Sequence, residues 1–141
     1  MSTIEMNKAL ARHFLELAAG HDLDGLISMV TPDWTMHGGP PDLPPGPDGV
    51  RHLFEHIGRA QQRWTVEDLV AEGDKVVVRA TNTCVQDSFL GIPSAGRTQV
   101  FTATFIHRIV AGRIQTTWRN ADDLGRLRQI GASIKPGSPT E

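Results

Sequence analysis

The sequence predicts an α+β domain: three helices, then a strongly curved antiparallel sheet, then one short returning helix. Apolar residues recur at helical spacing to about residue 62 and at strand-like spacing beyond it. The later segments are rich in Val, Ile, Thr and aromatics, and glycine-bearing turns separate them. A chain of 141 residues is long enough for one domain with its own core.

Each element has its own signal. Ile4, Ala9, Phe14, Leu15 and Leu17 to Ala19 mark a helix over Glu5–Ala19, stopped by Gly20. Asp22 caps a second, short helix, with Leu23, Leu26, Ile27 and Val30 as its inward stripe and Pro32 as its end. Trp34 and Met36 lie in a brief extended run. Residues 38–49, GGPPDLPPGPDG, hold five prolines and four glycines. That composition excludes a regular helix or central strand and predicts a shaped loop, either a lid over a pocket or a solvent loop with rigid turns. Asp48 caps a third helix running to about Gln62, with Val50, Leu53, Phe54 and Ile57 facing inward. Strands follow over Trp64–Ala71, Lys75–Gln86, Gln99–Val110 and Arg113–Asn120, with tight turns at AEGD and VAGR. Asp122 or Asp123 starts a last helix that contains Leu124, Leu127 and Ile130 and ends at Gly131. The domain therefore spans residues 1–134, and the polar residues 135–141 form a flexible tail.

The final hairpin permits a sharper expectation. A two-residue turn at Ala111-Gly112 sets Ile109 opposite Ile114, His107 opposite Thr116, Phe105 opposite Trp118 and Thr104 opposite Arg119. Ile109, Ile114, Phe105 and Trp118 then share one face, and Ile106, Thr104, Thr117 and Arg119 the other. A slip of one residue would exchange the faces.

Composition removes several functions. A formal net charge of −2 gives no broad electrostatic case for nucleic acid. The single cysteine, Cys84, has no internal partner, which fits a reducing compartment. No signal peptide or membrane span is read, so the expected setting is cytoplasmic. His52 and His56 have i, i+4 spacing without a third ligand, so no metal site is expected. There is no phosphate loop, dinucleotide fingerprint or haem motif.

Candidate chemistry centres on a few polar residues. The Arg119 guanidinium can bind a carboxylate, enolate or phenolate oxygen but stays charged and makes a poor base. Asp122 and Asp123 can each cap the last helix, and Asp122 can also orient Arg119 or act as an acid/base. His37 ends the short extended run beside the proline-rich loop and can accept a proton near pH 7 or secure the loop. Trp34, Trp64, Phe105 and Trp118 build core, with one or two as pocket walls. Asn82, Cys84 and Gln86 share a strand face, where Asn82 and Cys84 line a cavity or form a satisfied polar core. No adjacent base marks Cys84 as a nucleophile.

The stretch FLGIPSAGRTQVFTATFIHRIVAGRIQTTWRNADDLGRLRQIG, residues 89–131, resembles the SnoaL-like branch of the nuclear-transport-factor-2-like superfamily. It is similar in its glycine-rich connection, aromatic strand, glycine turn, Trp-bearing strand and final helix ending in Gln129-Ile130-Gly131. The early helix, HDLDGL and TPDWTMHG resemble the family too, so the likeness covers roughly residues 4 to 132. It implies a cone with a deep apolar pocket, frequent homodimers and polyketide ring closure by intramolecular aldol chemistry in specialised metabolism, such as antibiotic biosynthesis. It implies no organic cofactor or metal. Where the family's cyclase pattern presents His-Trp-Asp, this chain has Thr117, Trp118 and Arg119, so the expected carboxylate is absent there.

The expected function is an atypical cyclase-like enzyme that positions an apolar or polyketide-like carbonyl substrate for enolate chemistry. His37 or Asp122 would remove a proton, Arg119 would hold the enolate oxygen, and Thr117 or Asn82 would donate to a second carbonyl. The alternatives are cofactor-independent oxygenation or epoxide opening, and a binding protein for a hydrophobic metabolite.

Overall fold

A computed structural model describes residues 2–138. The chain forms α1 (Thr3–Ala19), α2 (Leu23–Met29), β1 (Val30–His37), α3 (Pro47–Ile57), β2 (Gln61–Glu72), β3 (Lys75–Val85), β4 (Ser88–Phe89), β5 (Ile92–Pro93), β6 (Gln99–Val110), β7 (Arg113–Ala121) and α4 (Asp123–Gln129). The expected α+β cone is present. The main sheet has five strands in the order β1-β7-β6-β3-β2. It is antiparallel from β2 to β7, but β1 runs parallel to β7, so the sheet is mixed rather than wholly antiparallel. β4 and β5 make a separate small hairpin that sequence patterning did not anticipate.

Local chemistry explains the element ends. Ser2 Oγ accepts the Glu5 amide at 3.2 Å, which starts α1 two residues earlier than expected. Asp22 and Asp122 cap α2 and α4 in the same way, each accepting the N–H of a glycine three residues on. A Cβ at Gly25 or Gly125 would collide with the capping carboxylate itself. The third helix is capped not at Asp48 but at Gly46, with Pro47 in its first turn, where the missing N–H costs nothing. It ends at Ile57 rather than near Gln62, because Gln61 and Gln62 pair with Val85 and Cys84 as the start of β2. The tail expected over 135–141 falls partly outside the described residues, at 139–141; residues 132–138 carry no helix or strand.

The core lies between α1–α3 and the concave face of the sheet. It joins Phe14 and Leu15 of α1, Leu26 of α2, Trp34 of β1 and Val50 of α3 to Val76, Val78, Ala80, Phe101, Phe105 and Ile114 of the sheet. The burial alternation of β6 places Gln99, Phe101, Ala103, Phe105, His107 and Ile109 on this inner face.

One bulge alters the last hairpin. The turn at Ala111-Gly112 and the Ile109–Ile114 pair are as expected. Beyond them Arg108 pairs with Thr116, so Gln115 is an extra residue in β7. His107 therefore faces Thr117, Ile106 faces Trp118 and Phe105 faces Arg119. The expected faces are exchanged from that point on: Thr117 turns inward and Trp118 outward. Trp118 lies under the Arg108 guanidinium, 5.5 Å from its ring centroid, and beside His37.

Candidate functional site

Two polar groupings occupy opposite ends of the inner face. At one end, Trp34 Nε1–H donates to Thr117 Oγ1 at 3.0 Å, and Thr117 Oγ1 lies 2.9 Å from His107 Nδ1. An indole N–H can only donate, so Thr117 Oγ1 accepts it. In the tautomer in which the Thr117 O–H donates to Nδ1, the proton of the neutral ring lies on Nε2. His107 and Thr117 are both 0% exposed, and Nε2 has no hydrogen-bond partner among the described residues. Phe14 and Phe105 lie against the imidazole, at centroid distances of 5.0 and 6.1 Å. Burial among them lowers the His107 pKa to about 4, so the ring is neutral at pH 7. The structure thus holds a neutral donor in an apolar setting.

At the other end, α4 sends Arg126 into the interior, where it is 7% exposed. Its Nε donates to Gln99 Oε1 at 2.7 Å, and its Nη2 donates to Gln86 Oε1 and to Cys84 Sγ, the latter at 3.6 Å. The Phe89 and Phe101 rings lie 3.9 and 4.6 Å from the guanidinium carbon. Desolvation lowers the Arg126 pKa and raises that of Cys84, whose thiol stays protonated. No buried carboxylate faces this cation among the described residues.

The remaining sequence candidates are dispersed. Arg119 makes a bidentate pair with Asp123, at 2.8 and 2.9 Å, and donates to the Gly38 carbonyl at 3.0 Å. Gly38 has φ +82°, and a Cβ there would strike the Arg119 carbonyl oxygen, so glycine is what lets the loop close on β7. Asp122 is exposed and serves as the α4 cap. His37 is exposed, its ring stacked 6.0 Å from Trp118 on the outer side. Arg119, Asp122 and His37 therefore do not converge on one interior point. The structure does bring together Trp34 with Thr117, Phe105 with Trp64, Asn82 with Gln62, and Cys84 with Gln99.

Sequence reasoning did not single out His107, Gln99 or Arg126 as site residues. The period-two pattern of β6 already carried a signal for the first two. Arg126 had none, since the apolar spacing of Leu124, Leu127 and Ile130 drew attention to those residues alone; in the structure Leu124 is exposed, and Arg126 and Ile130, one turn apart, are buried.

The surface is indented at the seam between α1 and β2. A cleft of about 310 Å³ there is lined by Arg12, Leu15, Glu16, Gln62 and Trp64, among others. A more open depression of about 520 Å³ adjoins it at His21, Gly58 and Gln62. Gln62 lies at the boundary: it accepts from Asn82 Nδ2 at 3.0 Å and donates to the Ala18 carbonyl at 3.3 Å. Asn82 Oδ1 is buried and without a partner among the described residues. Trp64 continues the cleft wall inward, edge-on to Phe101 and Phe105. Among the described residues no cluster of His, Cys, Asp or Glu has the arrangement of a metal site. No helix there is long and apolar enough to cross a membrane.

Helices closed onto a curved sheet, with polar side chains turned into an apolar interior, define an α+β cone. The chain belongs to the SnoaL-like polyketide cyclase family, whose sequence model matches residues 8–130. Among solved structures it is similar to TsrD from Streptomyces laurentii, with 29% identity, a TM-score of 0.79, and coverage of 94% of this chain and 99% of that one. It is similar to IdmH from Streptomyces antibioticus, a candidate polyketide cyclase, at 26% identity and TM-score 0.71, covering 89% and 99% of the two chains. An LEH-like epoxide hydrolase of M. tuberculosis shares the fold at 16% identity and TM-score 0.72, covering 89% and 90%. No curated protein gives a significant sequence match.

Proposed function

We propose that this chain is a small-molecule enzyme that binds an apolar, polyketide-like carbonyl compound inside the cone and promotes enolate chemistry there. One observation carries the reading: His107 is a buried, neutral imidazole whose Nδ1 is held by Thr117 and whose Nε2 lacks a partner among the described residues. A carbonyl oxygen brought to Nε2–H gains a fixed donor in a water-poor setting, where it is worth most as negative charge develops. The substrate enters through the α1–β2 cleft, along Trp64. Asn82, on the same inner face, helps orient it. Among the described residues no carboxylate is buried in the interior, so the base that takes the carbon-bound proton is sought at the cleft, where Glu16 is part of the wall. In this reading Arg119 is a positioning residue clamped by Asp123, Asp122 holds α4, and His37 belongs to the rim. Val77, Ile106 and Trp118, paired side by side across three strands on the outer face and half-buried, are the surface a second copy would cover in a homodimer.

The test is exchange of the α-protons of 1-tetralone in D₂O, followed by NMR. The wild type is expected to accelerate exchange, and His107→Phe to lose about 100-fold of that acceleration. His107→Gln, which keeps an N–H donor but not a ring base, should retain part of it. Equal rates in His107→Phe and wild type would remove His107 from the chemistry. A second reading, a binding protein for a hydrophobic metabolite, is favoured by the absence of a buried acid among the described residues; tight ketone binding without exchange would select it.

A further inference from the structure

The Arg126 end of the cone has no part in that carbonyl chemistry, yet its construction is unusual. A guanidinium keeps its charge when buried, and its desolvation is normally offset by an acid. Here every acceptor is neutral: Gln99 Oε1, Gln86 Oε1 and Cys84 Sγ. The acid that acts on Arg126 through space is Asp123, and both of its oxygens are taken by Arg119. Arg126 commits both Nε and Nη2 to these neutral oxygens and sulfur. Beside it, Gln99 is 0% exposed; its Oε1 is committed to Arg126, and its Nε2 is a buried donor without a partner. A permanent cation without its own counter-charge and a buried amide donor without an acceptor thus meet at one place, joined through Gln99 Oε1. Phe89 and Phe101 wall the place with aromatic surface. Phe89 belongs to the small β4–β5 hairpin, whose tip residue Leu90 is exposed.

We infer that Arg126 and Gln99 form a subsite for the carboxylate of an aromatic or largely apolar small molecule. One carboxylate oxygen accepts from Nη2 in place of Gln86 Oε1 and the other from Gln99 Nε2, and the ring system lies against Phe89 and Phe101. A phosphate dianion fits less well, because one cation faces the site and the interior is otherwise neutral. The inference rests on the reading of the interior as a small-molecule site and narrows it: the substrate is an acid, gripped at one end by Arg126 while a carbonyl is held toward His107. Gln86 is the built-in competitor, since it occupies the guanidinium with a neutral oxygen when no acid is bound.

The experiment is calorimetric titration of the full chain with naphthalene-2-carboxylate and with the isosteric naphthalene-2-carboxamide. The wild type is expected to bind the carboxylate about tenfold more tightly, the worth of one charge-assisted contact. Arg126→Met should bring the two affinities to parity. Gln86→Glu supplies an internal carboxylate to the guanidinium, gives up the bonds that the Gln86 amide donates to the His56 and Ile57 carbonyls, and should abolish the preference as well. Should Arg126→Met fail to fold, Gln86→Glu decides alone. Equal binding of the two probes by wild type, no carboxylate binding at millimolar concentration, or a preference that survives in folded variants would overturn the subsite. Parity of the probes with tetralone exchange intact defeats this inference only. A carboxylate preference without exchange defeats the enolate chemistry and leaves the subsite standing.

Discussion

At the His107 end of the cone, three neutral side chains pass one hydrogen bond to the next; at the Arg126 end, a permanent cation leans on neutral acceptors. The first arrangement leaves one donor over, at His107 Nε2, and no charge. The second leaves a charge without a counter-charge and a donor, Gln99 Nε2, without an acceptor. Imidazole can shed its proton when water is removed, so burial costs it little at pH 7. Guanidinium cannot, so its burial stores electrostatic demand that a ligand can meet. The same inner face thus offers an oxygen-polarising group at one end and an anion-seeking group at the other.

The largest expected effect would break the neutral end. Thr117→Val keeps the shape of the side chain but strands both Trp34 Nε1–H and His107 Nδ1 in the core. The expected loss is about 4 kcal/mol, from two unmet buried polar groups, and chemical denaturation would measure it. A loss below about 1 kcal/mol would mean that the chain of bonds is not formed.

The next effect is a pH dependence. His107 titrates near 6.5 in an unfolded chain and at about 4 when folded, so the unfolded state binds more protons between these values. Stability from the neutral ring is present above about pH 6.5 and is lost as pH falls toward 4, by about 3 kcal/mol in total. Denaturation curves at pH 7 and pH 4 should show this loss in wild type and a smaller one in His107→Phe. An identical pH slope in both proteins would place the titration elsewhere.

Smaller effects sharpen the charged end. Asp122→Ala removes the cap of the helix that carries Arg126 and should cost about 1 kcal/mol while leaving tetralone exchange unchanged. Strong loss of exchange at unchanged stability would return Asp122 to a catalytic role. Arg126→Met is expected to stay within about 1 kcal/mol of wild type, because relief from burying an unmatched cation offsets the hydrogen bonds that Gln99 and Gln86 give up. A thermal melt showing several times that loss would make Arg126 a structural clamp rather than a binding group.

Much of this was legible in the residues. The strand ends at Lys75, Gln99, Val110 and Arg113, the caps at Asp22 and Asp122, and the inward face of β6 follow from period, turn chemistry and short-range hydrogen bonding. The family likeness also ran nearly the length of the chain. The candidate site was less legible. Thr117, Trp34, Asn82 and Phe105 were named and do face inward, whereas Trp118 was placed on the wrong face by the unforeseen extra residue, Gln115. Arg119 and Asp122 attracted attention as polar residues near a strand end, but their partners are a helix residue and a helix amide.

The sequence by itself determined the class of fold, the order of its elements and the inner row of β6, because periodicity and capping act over a few neighbouring residues. Tertiary structure decided which polar groups meet. A bulge is not written in local composition, and it alone sets Thr117 rather than Thr116 against His107. The pairing of Arg119 with Asp123 and the turning of Arg126 toward Gln99, Gln86 and Cys84 depend on how α4 docks against distant strands. Those interactions span up to 42 positions in the chain, so their energies exist only once the cone has closed.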